Sequence, residues 1–144
     1  MTEKRENLTP EEKAKLEEKY KKAMNEVDKK DVEYVLAKTM GKADELLDSA
    51  VEWIKKLAKQ VTLLYQLLRD WWNGEYETPW STIAAITAAL LYFINPFDLI
   101  PDFLPVIGYI DDATVIGIAL RLIQDDIRKY AQKKGIDLKE YGLE

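Results

Sequence analysis

Hydrophobic positions recur at helical spacing along most of the chain, and the first stripe is thin and surrounded by charge. It consists of Leu16, Tyr20, Ala23 and Val27. Thr9-Pro10-Glu11-Glu12 has the residues of a capping box with proline at the first helical position, which predicts a helix start. Because the remaining positions are mostly Lys and Glu, we expect residues 1–31 to form a charged N-terminal helical segment that packs loosely.

A second, stronger stripe alternates steps of four and three residues. It consists of Leu47, Val51, Ile54, Ala58, Val61, Tyr65, Leu68 and Trp72. This spacing predicts one long amphipathic helix that faces the core of a bundle. Before this long helix, Asp31 is a suitable N-terminal cap for a helical region that starts at Val32. Gly41 predicts a break or kink within that region. Asn73-Gly74 is a suitable end for the long helix, and Gly135 is a suitable end for the last helix.

Two later segments are apolar on nearly all faces. Residues 80–94 (WSTIAAITAALLYFI) follow a Thr78-Pro79 start and contain no charge, and residues 113–123 (ATVIGIALRLI) contain one. Alanine pairs four residues apart in the first segment, and Gly117 in the second, predict close approach of another helix. No long alternating pattern predicts a strand. We therefore predict a single all-α domain, a bundle of about five helices that includes an apolar helical hairpin.

The connection within this hairpin is rich in proline and aspartate. Residues 95–112 read NPFDLIPDFLPVIGYIDD, and their chemically distinctive members are Pro96, Asp98, Pro101, Asp102, Pro105, Gly108, Asp111 and Asp112. Each proline disfavours helix for the residue before it, so a compact irregular connection is predicted. The favoured interpretation of the aspartates is structural: Asp111 caps the last helix, Asp112 lies in its first turn, and the others cap short turns.

The alternative interpretation of the same aspartates is a binding site. Asp98, Asp102, Asp111 and Asp112 would suit a hard divalent cation such as Mg²⁺, Ca²⁺ or Mn²⁺. Residues 79–127 hold one cation, Arg121, against six anions. We expect Arg121 to be the buried or half-buried partner of one of these aspartates, because an unpaired buried charge would be costly. The alternative role for Arg121 is to anchor a substrate.

The composition excludes several classes of function. The chain has 144 residues, no cysteine, no histidine and a net charge of −5. Zinc and non-haem iron sites are disfavoured because both depend on His or Cys. Lysines interleaved with glutamates argue against a nucleic-acid partner. The first residues contain no secretory signal, which predicts a cytoplasmic location. The charge-free run is shorter than the roughly 20 residues that span a bilayer.

The apolar hairpin resembles the YkvA-like family of bacterial domains of unknown function. The motif covers residues 90–123 within a predicted domain of residues 32–144. The matching residues are Tyr92, Phe93, Pro96, Asp98, Ile100, Pro101, Asp102, Pro105, Gly108, Asp111 and Asp112. The resemblance implies no settled activity, and membrane association is suspected for such proteins because of their two apolar helices.

The first interpretation is therefore a soluble, non-enzymatic structural or protein-interaction module without a predicted cofactor. The alternatives are the divalent-metal site and a membrane-associated hairpin, and the oligomeric state stays open. One aromatic cluster precedes the hairpin and is either an exposed apolar patch or, as we favour, part of the core. It consists of Trp71, Trp72, Tyr76 and Trp80.

Overall fold

The computed structural model describes residues 9–95 and 109–143, with side chains from Thr114 onward in the second range. These ranges contain six α-helices packed as a bundle, a short C-terminal 3₁₀ helix and no strand. The all-α prediction is confirmed. The helices are α1 (Pro10–Asn25), α2 (Lys29–Leu47), α3 (Glu52–Trp72), α4 (Trp80–Ile94), α5 (Tyr109–Leu122) and α6 (Gln124–Lys134), and the 3₁₀ helix is Leu138–Tyr141.

The first two helices each begin at a capping box. In α1, the Thr9 hydroxyl accepts from the Glu12 amide at 3.1 Å and the Glu12 carboxylate accepts from the Thr9 amide at 2.9 Å, as predicted. In α2, the cap is Asp28, which exchanges the same two bonds with Asp31 at 3.0 Å each. The prediction that Asp31 is the cap is therefore wrong by three residues, because Asp31 occupies the third helical position instead.

The predicted long helix through Leu47 and Val51 is interrupted. Helix α2 continues through Gly41, so the break predicted at that glycine is wrong, and the chain leaves the helix at residues 48–51 instead. The Ser49 hydroxyl accepts from the Val51 amide at 3.0 Å within this turn. A serine side chain that bonds nearby backbone offers the chain an alternative to helix, which explains the interruption.

Helix α4 lies at the centre of the bundle and packs against α1, α2, α3 and α5. Eleven of its 15 residues are buried, including all four paired alanines, so the predicted close packing is confirmed. Pro79 is the residue that precedes the helix rather than its first helical residue, and Thr78 makes no cap there. Gly74, at φ 76°, takes the left-handed conformation expected after α3.

The last apolar segment lies in α5, and the chain turns at Ile123 before the charged helix α6. Gly135, at φ 70°, ends α6 as predicted. Tyr109 is already helical, so Asp111 lies inside α5 and its predicted role as the cap of that helix is wrong. Gly117 is exposed, which contradicts the close helix contact expected there.

Helix α1 belongs to the common core, where the sequence led us to expect loose packing. Leu16 and Tyr20 are fully buried. The Tyr20 hydroxyl donates to the carbonyl oxygen of Ala85 in α4 at 2.5 Å. Two large buried side chains and one hydrogen bond from an otherwise charged helix are sufficient to fix its position on α4.

Candidate functional site

The Pro/Asp connection falls largely outside the described residues. This applies to Pro96, Asp98, Pro101, Asp102, Pro105 and Gly108, while Asp111 and Asp112 are described as helical backbone only. The divalent-metal hypothesis for the four aspartates therefore stays a prediction. Within residues 9–95 and 114–143, no three acidic side chains come together in a way that could hold a metal ion.

The start of the connection is held by two side chains from α2. The Lys42 ammonium donates to the carbonyl oxygen of Phe93 at 2.5 Å and lies 4.8 Å from the centre of its ring. The Asn95 side-chain amide donates to the Tyr34 hydroxyl at 3.2 Å. A cation at the carboxyl end of a helix is favoured by the helix dipole. Helix α2 therefore fixes the point at which the chain leaves α4.

Arg121 does not lie in the core. Its side chain is 60% exposed, and it forms an ion pair of 2.8 Å with Glu17 of α1. The predicted burial is wrong because the side chain lies at the surface of α5, where it reaches a carboxylate of α1. Glu17 also pairs with Lys21 at 3.3 Å. The sequence-based prediction considered only the aspartates near Arg121 in the chain and missed Glu17 as its partner.

A buried acidic network, which the sequence interpretation missed, connects α3 with α6. Asp70 is 3% exposed and accepts a hydrogen bond of 2.6 Å from the Tyr130 hydroxyl. Lys134 lies 3.2 Å from the same carboxylate oxygen, and Arg69 lies 3.7 Å from the other one. The available signal was an acidic residue between Leu68 and Trp71, on the apolar face of α3.

The carboxylate of Asp70 is held ionised by its neighbours. Burial raises the pKa of Asp70, but hydrogen bonds from Tyr130 and Lys134 and the nearby positive charges outweigh it, so its pKa is lowered overall. Burial, together with the hydrogen bond to Asp70, raises the pKa of the Tyr130 hydroxyl. Tyr130 therefore remains a donor at neutral pH, and the network joins α3 to α6 as a fixed structural unit.

Tyr76 and Thr82 extend the contacts of α6. The ring of Tyr76 meets that of Tyr130 edge-on at 5.0 Å. Burial, followed by the charge of Asp126, raises the pKa of Tyr76. The Thr82 hydroxyl at the start of α4 donates to the Asp126 carboxylate. These contacts hold the loop between α3 and α4 against α6.

Three tryptophans form a continuous surface beside this loop, which we call the indole patch: Trp71, Trp72 and Trp80. Ring centres are 6.5 Å apart for Trp71 and Trp72 and 5.8 Å apart for Trp71 and Trp80. Trp71 is half-buried against the core, whereas Trp72 and Trp80 are 41% and 43% exposed. The core-packing interpretation favoured from the sequence therefore holds for Trp71 and Tyr76 but not for the two outer indoles.

No helix in the described part of the chain is long and apolar enough to cross a membrane. Such a helix needs about 20 predominantly apolar residues. The most apolar element, α4, has 15 residues.

Comparison with known proteins gives two matches. A family described as "Protein of unknown function (DUF1232)" matches residues 82–118, which include most of α4 and the first part of α5. The chain is also similar to the "Uncharacterized membrane protein YkvA" of Bacillus subtilis (strain 168), with 42% identity over 77 residues. That alignment covers 53% of this chain and 73% of the relative. No solved structure matches the chain.

Proposed function

The chain belongs to the DUF1232 family of proteins of unknown function, and from this premise we propose that it is a non-enzymatic helical module that attaches to a membrane surface. The attachment uses the indole patch at the junction of α3 and α4. The proposal assigns the apolar helix α4 to the protein core and the membrane contact to side chains on the surface.

The observation that carries the proposal is the exposure of Trp72 and Trp80 beside Trp71. Each of the two outer indoles leaves more than two-fifths of its surface in water. Contiguous exposed aromatic surface on a water-facing protein marks an interaction site. Tryptophan in particular favours the boundary between water and lipid, because its ring is apolar while its N–H remains hydrogen-bonded to water or headgroups.

The charges around the indole patch are mixed. Arg69, with a side chain 48% exposed, lies three residues before Trp72. Lys133 lies 5.5 Å from the centre of the Tyr76 ring. Glu75 and Glu77, both exposed, belong to the same loop. Because the two positive and two negative charges offset each other, we expect insertion of the indoles to dominate membrane binding. Added salt should therefore weaken membrane binding only modestly.

The name of the relative supports the proposal that this chain attaches to a membrane. The Bacillus subtilis protein, 42% identical to this chain over 77 residues, is called an uncharacterised membrane protein. Attachment of a surface patch accounts for membrane association without a membrane-crossing helix in the described residues. The exposed indoles favour this proposal over an apolar hairpin that inserts into lipid, because α4 is already covered by protein.

The test compares two tryptophan variants of the full chain. Trp72→Ala combined with Trp80→Ala removes the exposed part of the patch, and Trp53→Ala is the matched control because that indole is 45% exposed. Trp53 and Trp72 are 19 positions apart in α3, or about 28 Å at 1.5 Å per residue. Circular dichroism establishes that both variants fold.

Sedimentation with vesicles of phosphatidylcholine and phosphatidylglycerol measures binding, and tryptophan emission reports insertion. We expect the wild type and the Trp53 variant to bind with a blue-shifted emission. The double variant should bind at least about tenfold more weakly, because each lost indole contact is worth about 1 kcal/mol or more. Absence of vesicle binding by the wild type, or equal binding by the double variant, would refute the proposal.

A further inference from the structure

A cavity of about 420 Å³ lies between α5, α6 and the C-terminal 3₁₀ helix, with one wall from α3. The volume lies within the range of pockets that bind small molecules. The wall from α3 is Gln60, whose side-chain amide donates to the carbonyl oxygen of Tyr141 at 3.0 Å. This bond holds the C-terminal turn over the cavity, which is separate from the indole patch in its lining residues.

The lining combines cations with apolar surface. Arg121 and Arg128 contribute guanidinium groups, Gln124 contributes an amide, and Leu120 and Ile127 contribute apolar surface. Within the described residues, no acidic side chain lines the cavity. Guanidinium groups recognise carboxylate and phosphate through paired hydrogen bonds. The wall chemistry therefore fits a molecule with an anionic head and an apolar remainder.

Both arginines also have internal partners. Arg121 pairs with Glu17 at 2.8 Å, and Arg128 lies 3.5 Å from Asp125, which is 84% exposed. A guanidinium carries five N–H donors, so the ion pair of Arg121 with Glu17 leaves donors of that arginine for a second acceptor. Exposed pairs of this kind contribute about 1 kcal/mol or less, which an anion held by two arginines can offset. The pairs therefore orient the arginines without closing the site.

Gly117 is a further feature of the same cavity. It lies in the interior of α5, where glycine costs about 1 kcal/mol relative to alanine. A Cβ placed on it would meet no described atom within 4 Å, so contact with the described residues does not explain the glycine. Gly117 lines the cavity, and any side chain there would occupy the open space. The absence of a side chain at position 117 leaves this space open for a ligand.

We propose that this cavity binds a small amphiphilic anion, with a carboxylate or phosphate head between Arg121 and Arg128 and a hydrocarbon tail along Leu120 and Ile127. This goes beyond membrane attachment by the indole patch and does not depend on it. The same chemistry is offered by a free amphiphile, such as a fatty acid, and by the headgroup region of an anionic lipid.

Titration calorimetry of the full chain with decanoate and with decyl phosphate, below their micelle-forming concentrations, tests the proposal. Decanol and inorganic phosphate are the controls that lack the head or the tail. We expect one saturable site for each amphiphilic anion and at least about tenfold weaker binding of either control, because head and tail each contribute to affinity.

Two leucine variants separate cavity filling from general effects of losing a glycine. Gly117→Leu fills the cavity, while Gly41→Leu changes another exposed helix-interior glycine that does not line it. We expect Gly117→Leu to abolish binding, Gly41→Leu to leave it unchanged, and Arg121→Gln to weaken it about tenfold. Circular dichroism confirms folding. No saturable binding by the wild type, or unchanged binding by a folded Gly117→Leu, overturns the proposal.

The same variants distinguish the source of the ligand and separate the two proposals. If Gly117→Leu also loses binding to phosphatidylglycerol vesicles, the cavity takes a lipid headgroup. If it keeps vesicle binding, the cavity takes a free amphiphile. The variant that lacks Trp72 and Trp80 should retain decanoate binding, and loss of that binding with an intact fold would contradict a cavity between α5 and α6.

Discussion

Removal of a single hydroxyl from the buried acidic network should lower the free energy of unfolding by about 2 kcal/mol. Tyr130→Phe deletes the donor that lies 2.6 Å from Asp70, and both residues are buried. A hydrogen bond to a charged group contributes about 1.5–3 kcal/mol. Lys134 stays 3.2 Å from the same oxygen, so the carboxylate keeps one partner. The aromatic ring still packs on Tyr76, which limits the loss to the hydrogen bond.

The assay is urea unfolding at pH 7, followed by circular dichroism. A double-mutant cycle with Asp70→Asn isolates the pair, and we expect a coupling energy of about 1–2 kcal/mol. Tyr65→Phe is the control, because this half-buried ring lies beside Arg69 but outside the hydrogen bonds of Asp70. It should change the free energy of unfolding by less than about 0.5 kcal/mol. A folded Tyr130→Phe within that margin would refute the reasoning.

The pH dependence of the free energy of unfolding is a second test of the same network. Because the fold lowers the pKa of Asp70 from 3.8, its contribution to stability is present above that value and is lost as the pH falls through the lower folded value. Wild type should therefore lose stability more steeply than Asp70→Asn below about pH 4. The raised pKa of Tyr130 predicts a loss above about pH 10 that Tyr130→Phe lacks. Parallel curves for wild type and Asp70→Asn would contradict the assignment.

Three smaller changes test other parts of the fold by thermal and urea unfolding. Gly41→Ala should stabilise by about 0.5–1 kcal/mol, because a Cβ there meets no described atom within 4 Å; a loss would mean that the position is crowded. Tyr20→Phe should cost about 1 kcal/mol through the lost bond to Ala85, and an unchanged midpoint would show that this bond contributes nothing. Asp28→Ala should cost about 1 kcal/mol as a lost cap, whereas a neutral effect would return the cap to Asp31.

Helix ends that depend on nearby residues could be predicted from the sequence. The capping box at Thr9 and the left-handed glycines Gly74 and Gly135 lie where the sequence places them. Each involves residues within four positions in the chain, so the local sequence contains the whole interaction. The alanine pairs of α4 likewise indicated close packing against another helix, and these alanines are buried.

Features that depend on distant partners were not predictable in the same way. The stripe through Leu47 and Val51 continued its spacing across a turn, because periodicity records which face is apolar but not where the chain stops. Asp70 gains its role from α6 and Arg121 from α1, and neither partner is near in sequence. The exposed half of the indole patch depends on how α3 and α4 meet, which the sequence pattern does not contain.

The burial of α4 argues against this helix as the membrane contact that we propose. Its charge-free run suggests lipid, yet α1, α2, α3 and α5 all pack on it, and only four of its 15 residues are not buried. Its apolar character is therefore explained by protein contacts, and exposing it to acyl chains would require separating the bundle. Each buried large apolar side chain stabilises the fold by about 1.5–3 kcal/mol, so such an opening is costly. The exposed Trp72 and Trp80 need no such opening, and this difference in cost is why we propose a membrane contact at the surface of the bundle.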